Sequence, residues 1–505
     1  MLNKRGCGIL LHPTSLPGTG GIGTLGEDAR RFIDLLSDMG MSYWQVLPLS
    51  PPACGNSPYS AFTAFGGNPL LINLEQIVNE GDLATIPDIV RYAGNHVDFS
   101  AVAGPKTELL YQAASTFLAA KNTPRMHEFR HFCDTTPWLN DYALFMALKR
   151  RYHGKSWILW PEEASYLAQE SHQDCSGKFG YEVAVQKYLQ WQFSRQWRKL
   201  RSYANERGIA IIGDIPIFVA HDSADVWSHR DLFLLDSKGK PRVVAGVPPD
   251  YFSATGQFWG NPLYDWDVME REGYRWWIDR FSSMFELFDI VRVDHFRGFE
   301  AAWHIPSKEQ TAAKGAWIKG PGERLFDALR AALGELPIIA EDLGVITTEV
   351  LALRDRYSFP GMKILQFAFE SEPVSLPHNH VKNGVVYTGT HDNDTTAGWY
   401  TSISATERQE MCEYLGCSGD DGVGDLIRAA LMSVADTAVI PFQDVLKLGS
   451  EARMNIPGTP FGNWEWRFSW DMVPEELAAS VRKQLERYDR VQNGEKIYAP
   501  QRFSP

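Results

Sequence analysis

Two hydrophobic periodicities alternate along the chain. Between Thr24 and Gly40 the apolar residues Ala29, Phe32, Ile33, Leu36 and Met39 recur at the spacing of one helical face, with Gly40 as a stop. Thr24 and Glu27 stand three apart, the spacing of a capping box. The next run, SYWQVLPLS, is apolar without alternation. The same order returns in ERLFDALRAALGELPIIAEDLG, where Leu325, Phe326, Leu329 and Leu333 mark a helix, Gly334 ends it and PIIAEDL follows.

Continuous apolar runs suit parallel strands buried on both faces. Eight of them occur: CGILLHP, WQVLPLS, IAIIGDIPIFV, DIVRVDHF, PIIAEDL, KILQFAF, VVYTGTHDN and AVIPFQDVL. They predict an α/β protein, a (β/α)8 TIM barrel with inserted lobes over the carboxyl-terminal face of the strands. A doubly wound open sheet is the architecture that periodicity leaves as the alternative. Residues 54 to about 200 and 220 to 285 break the repeat. With no low-complexity linker around them, they are expected to be lobes of a single catalytic unit spanning 1–505.

Composition narrows the function. A chain of 505 residues with 44% hydrophobic and 22% charged residues has the makings of a large globular core. A net charge of −13, with no basic cluster, argues against a nucleic-acid partner. No apolar span reaches the ~18 residues of a membrane helix, and the amino-terminal run in MLNKRGCGILLHPTSLPG stops too early for a secretory signal. Cys7, Cys54, Cys133, Cys175, Cys412 and Cys417 have no metal-like spacing and are expected as reduced thiols of a cytoplasmic protein. Oligomeric state is left open.

In a parallel barrel the chemistry gathers where strands end. Those ends carry Asp214, Arg292, Asp294, His295, Glu341, Asp342, His391, Asp392 and Asp394. Glycosyl transfer with retained configuration needs an ionised carboxylate nucleophile and a protonated carboxylic acid about 5 Å from it. Arg292 and Asp294 lie two apart and share a strand face, so the arginine is expected to hold Asp294 ionised. A structural ion pair of Asp294 with Arg292 and Arg297 is the simpler explanation for one strand, but three acid-bearing strand ends favour catalysis. His295 and His391 suit either hydrogen-bonded edge positions or substrate binding. Spacing does not decide between Glu341 and Asp342, or between Asp392 and Asp394, for the place facing the mouth.

Aromatic residues form a second group. PPDYFSATGQFWGNPLYDW holds Tyr251, Phe252, Phe258, Trp259, Tyr264 and Trp266, and GTPFGNWEWRF adds Phe461, Trp464 and Trp466. Sugar rings stack on such side chains while their hydroxyls need amides and carboxylates, Asn463 of the second loop among them. About half of these rings are expected to pack the lobes instead. Tyr251, Phe252 and Trp259 are the better candidates for sugar contact.

The segments GILLHPTSLPG, GNSPYSAF, GDIPIFVAHDSADVW, PPDYFSATGQFWGNPLYDW, VRVDHFRGF, AEDLG, YTGTHDNDT and GTPFGNWEWR span residues 8 to 467. In them the chain resembles the 4-α-glucanotransferases of glycoside hydrolase family 77, the amylomaltases or disproportionating enzymes, which are relatives of the α-amylases. The resemblance implies Asp294 as nucleophile, Glu341 as general acid/base and Asp392 as the carboxylate that grips ring hydroxyls in the transition state. It implies Asp214, Arg292 and His391 around the sugar being cleaved, and glucan contacts at Tyr59, Tyr251, Phe252 and Trp259; His295 and Asn463 are counted as further substrate-binding candidates from their positions alone. Ala254 departs from the acidic residue many relatives carry there. The implied donors are α-1,4-glucans and maltooligosaccharides, and the acceptors glucose or a second glucan. No cofactor or metal is called for, and neither a P-loop nor a dinucleotide fingerprint follows a strand. An α-amylase-like glucan hydrolase, using the same three carboxylates, is the alternative.

Overall fold

The chain's continuous apolar runs close on themselves. The computed structural model describes residues 4–53, 55–87, 94–120, 123–167, 172–249, 255–369, 373–459, 461–492 and 496–497. Its strands, in chain order, are β1 (Gly6–Leu10), β2 (Tyr43–Gln45), β3 (Ala210–Pro216), β4 (Val243–Val247), β5 (Gln257–Pro262), β6 (Ile290–Asp294), β7 (Ala301–Pro306), β8 (Ala316–Lys319), β9 (Ile338–Ala340), β10 (Gly361–Ile364), β11 (Gly384–Tyr387) and β12 (Thr437–Pro441). Eight of them form a closed barrel in the order β1-β2-β3-β6-β9-β10-β11-β12, with β12 returning to β1 and every pairing parallel. These are the eight runs read from the sequence, and the barrel replaces the open-sheet alternative.

All eight runs extend past their strands, and two of them continue into an α-helical turn. KILQFAF leaves the strand at Ile364 for the short helix Leu365–Ala368, and AVIPFQDVL leaves it at Pro441 for Phe442–Val445. A continuous apolar run has no period, so a buried helical turn reads like more strand. The polar residues inside those turns have work of their own. Gln366 donates to the Asp394 carbonyl at 3.0 Å, and Asp444 accepts from the Thr388 hydroxyl at 2.6 Å and the Thr396 amide at 2.7 Å. The expected capping box is absent as well. Helix Glu27–Met39 starts at Gly26 with no side-chain cap, because the Asn73 amide sits where a Cβ on Gly26 would be, 2.2 Å away, and donates to Thr24 Oγ1 at 3.2 Å.

The chain leaves the barrel after β2 and again after β3. The first excursion returns through one 35-residue helix, His172–Glu206. That helix packs on the lobe helices Phe99–Ala119 and Leu139–Arg151 and also on barrel helix Glu27–Met39 and on β3. The second excursion supplies β4 and β5, which join β7 and β8 from the segment after β6 in one antiparallel sheet, β5-β4-β7-β8. Helix Arg275–Leu287, at the far end of the second expected lobe, packs on β3 and β6 as a barrel helix. Tyr264 and Trp266 are packing aromatics, lying 4.9 Å apart with Trp266 stacked on Trp277 at 6.2 Å.

Among the described residues no helix is long and apolar enough to cross a membrane, and no cluster of His, Cys, Asp or Glu is arranged to hold a metal ion. Cys7, Cys133, Cys412 and Cys417 carry no disulfide. Cys54 and the side chain of Cys175 lie outside the described residues.

Candidate active site

Alternation along β6 turns Arg292 and Asp294 to one side, and the arginine organises what surrounds it. Its Nη1 donates to Asp214 Oδ2 on the neighbouring strand β3 at 2.6 Å, and its Nη2 donates to Asp294 Oδ1 at 3.0 Å. Tyr59, from the lobe that follows β2, donates its hydroxyl to the same Asp214 oxygen at 2.8 Å. The Tyr59 ring stacks on His391 at 5.1 Å with an 11° interplanar angle, and Trp464 leans on both.

Glu341 follows β9. Its Oε2 accepts from the His295 backbone N–H at 2.6 Å and its Oε1 from the Leu343 N–H at 3.0 Å. His295 is held in the left-handed region, φ 50, which aims its amide at the glutamate. Asp342 points the other way, pairing with Arg354 and accepting from the Met362 amide at 2.7 Å. A similar division separates the later pair. Asp392 lies 3.4 Å from His391 Nε2, whereas Asp394 accepts from the Ser450 hydroxyl and the Thr395 amide.

Three carboxyl groups, those of Asp214, Asp294 and Glu341, thus gather around one buried guanidinium, with Asp392 acting on Asp294 from beyond. Burial works against the charge on Arg292, but Asp214 and Asp294 overcome it and hold the arginine protonated. Burial pushes Glu341 up to about 8 against the pull of Arg292, and the charge of Asp294 adds to the rise. Asp214 is pushed up to about 7 by the same three influences. For Asp294 the arginine pulls the carboxyl down as expected, but burial and the nearby charge of Asp392 outweigh that pull, so the carboxyl stands above its ordinary range rather than below it. Its side chain keeps 30% of its surface open, so solvent relieves part of that penalty. Burial keeps His295 neutral, at about 4, and lowers His391 too.

Of the sugar-contact candidates, Trp259 lies on β5 with 38% exposure and meets the His295 ring edge-on at 4.8 Å. His295 Nε2 is buried without a hydrogen-bond partner. Tyr251 and Phe252 lie outside the described residues, as does Ala254. Asn463 spends its amide on its own loop, accepting from Ile456 N at 2.8 Å and donating to the Thr459 carbonyl at 2.9 Å. Trp464 and Trp466 are buried, and Phe461 is almost fully exposed. Reading the sequence missed Asn455, whose amide donates to Asp392 Oδ1 at 2.6 Å, and Arg453, which donates to the Asp392 carbonyl at 2.6 Å. Phe218, 6.4 Å from both His295 and Trp259, was also missed, although it stands in the quoted run after β3.

Comparison with known proteins shows the family. The family described as 4-alpha-glucanotransferase matches residues 11–472. The chain belongs to that family. A 4-alpha-glucanotransferase of Synechocystis is 48% identical over 97% of this chain and 99% of its own length. The Thermus thermophilus 4-alpha-glucanotransferase is also 48% identical, over 96% and 99%, and the chloroplastic/amyloplastic one of Solanum tuberosum is 45% identical over 95% and 85%. Among solved structures, an amylomaltase from Streptococcus agalactiae in complex with acarbose is 35% identical and superposes with a TM-score of 0.91, covering 97% of this chain and all of that one. The Corynebacterium glutamicum amylomaltase, 19% identical with a TM-score of 0.76 over 96% of this chain and 75% of its own, shares the fold.

Proposed function

We propose that this chain cuts an α-1,4-glucan and passes the released segment to the 4-hydroxyl of glucose or of a second glucan, by a retaining double displacement. Glucan transfer is the activity of the family to which it belongs. The observation that carries the residue roles is the unequal treatment of two acids. Both stand above their ordinary range, but Asp294 is bonded directly by the Arg292 guanidinium and is 30% open to solvent, which favours its ionised form, whereas Glu341 is pushed up to about 8 and holds a proton at neutral pH.

In the first step Asp294 attacks the anomeric carbon. Its Oδ1 is engaged by Arg292, which leaves Oδ2 as the attacking atom. The glycosidic C1–O4 bond breaks as Glu341 gives its proton to the departing O4, and a glycosyl ester forms on Asp294. In the second step Glu341, now a carboxylate, takes the proton of an acceptor 4-hydroxyl. That oxygen attacks C1 and the ester bond to Asp294 breaks. Two inversions retain the α configuration. Asp392 is assigned to the ring hydroxyls of the sugar being transferred, with His391 beside it. Trp259 and His295, with Tyr251 and Phe252, are assigned to the acceptor, and Tyr59 and Asp214 to the walls of the cleavage subsite. Asn463 is assigned to holding its loop in shape. The barrel and both lobes are read as one catalytic unit, and a cytoplasmic location agrees with the reduced thiols expected from the sequence.

Incubation of maltotriose with the pure enzyme tests this. Glucose together with chains longer than maltotriose supports transfer, and added glucose should redirect products toward maltose. Accumulation of shorter chains alone would identify an α-amylase-like hydrolase.

A further inference from the structure

Asp392 lies on the turn after β11 with its side chain 48% exposed, and the contact that fixes its carboxylate comes from far along the chain. The segment after β12 returns to it. Arg453 Nη2 donates to the Asp392 carbonyl at 2.6 Å, and Arg453 Nε donates to the Asn455 carbonyl at 2.8 Å. The Asn455 side-chain amide then donates to Asp392 Oδ1 at 2.6 Å, closing a ring of three hydrogen bonds. The loop beyond is braced by Asn463, which bonds both Ile456 and Thr459.

We propose that Asn455 and Arg453 are positioning residues that set the rotamer of Asp392. The inference rests on Asp392 being the carboxylate that grips the sugar's hydroxyls. A half-exposed aspartate samples several rotamers, and a group that must meet two hydroxyls as the ring flattens acts only from one of them. The chemistry of the two partners fits this task. The donor placed on the carboxylate is a neutral amide, which orients the group and leaves its charge available to the substrate. The permanent cation is placed on the backbone carbonyl, where it anchors the turn. Oδ1 is thereby engaged, and Oδ2 is turned toward the sugar.

The test is steady-state kinetics of transfer from an α-maltosyl fluoride donor, with melting temperatures, for Asn455→Ala and Asn455→Asp in the wild-type and Asp392→Asn backgrounds. Loss of a hydrogen bond to a charged group predicts a kcat for Asn455→Ala lower by roughly ten- to a hundred-fold, with KM nearly unchanged. In the Asp392→Asn background the same change should cost nothing further, since its only route of action is gone. Asn455→Asp keeps the shape but replaces the donor by a second carboxylate that repels Asp392, so kcat should fall at least as far as in Asn455→Ala, again with KM nearly unchanged. An equal loss in both backgrounds, or an unchanged kcat in both variants, overturns the proposal. Full activity of Asp392→Asn by itself would instead remove the role of Asp392, a result separable from failure of the positioning claim.

Discussion

At the scale of single residues, the neighbours Glu341 and Asp342 show how much one peptide bond decides. Asp342 is tied to Arg354 and to a strand amide, while Glu341 is turned to Asp294 and Arg292 and kept protonated. Replacing Glu341 by Gln should therefore stop transfer from glucan donors, yet spare formation of the glycosyl ester from a fluoride donor that needs no protonation. Equal losses on both donors would contradict the acid assignment. The wild-type alkaline limb should fall near pH 8, where the proton leaves. The same shift affects stability. A carboxyl raised to about 8 from an ordinary value of 4.5 binds its proton more tightly when folded, so folding is progressively penalised as pH rises from about 4.5 through about 8. Glu341→Gln should melt higher than wild type at pH 9 and about equally at pH 4.5. A melting difference that does not vary with pH would deny that burial sets this pKa. Asp294→Asn should abolish turnover while leaving the fold intact, and a pure sample with near-normal activity would remove it as nucleophile. Arg292 and Asp294 were legible because a strand has a period. Glu341, Asp392 and their neighbours sit in turns, where no period exists and only resemblance separated them. Asn455 was illegible for a different reason: its partner is 63 residues away, and nothing local marks it.

Among the elements, the barrel strands were legible in order and position because each is buried on both faces, and a continuous apolar run records that. The small sheet was not. β7 mixes buried and half-buried residues and β8 is largely exposed, so neither carries the continuous apolar run that marks a barrel strand. The barrel's packing also limits substitution. On β3 a Cβ at Gly213 would lie 2.1 Å from the Phe288 ring, so Gly213→Ala should destabilise by roughly 1–3 kcal/mol. Because Asp214 is next in sequence, kcat should fall with the melting temperature; an unchanged melt would mean the core has slack here. The sheet strand β5 invites a kinetic test. Water exceeds any glucan in concentration, so transfer dominates only if the acceptor is already seated against the intermediate. Trp259→Ala should raise the ratio of hydrolysis to transfer several-fold, read as glucose against longer products from maltotriose. A lower melting temperature with an unchanged ratio would mark Trp259 as packing alone.

For the molecule as a whole, helix His172–Glu206 touches lobe and barrel alike, so the two should unfold together in a single calorimetric transition. Two separated transitions would make the lobe an independent domain. The lobes' existence was legible as interruptions of the repeat, but the way they are stitched was not, since pairing between distant strands has no local pattern. That stitching constrains how the enzyme diversifies. β4 and β5 come from one barrel loop and β7 and β8 from the next, and the β4–β7 ladder joins them. One of these loops carries Trp259, and the other begins immediately beyond Asp294 and His295. A transplant of either loop alone from a relative would leave an orphaned strand edge, so the two loops are expected to be inherited or engineered together.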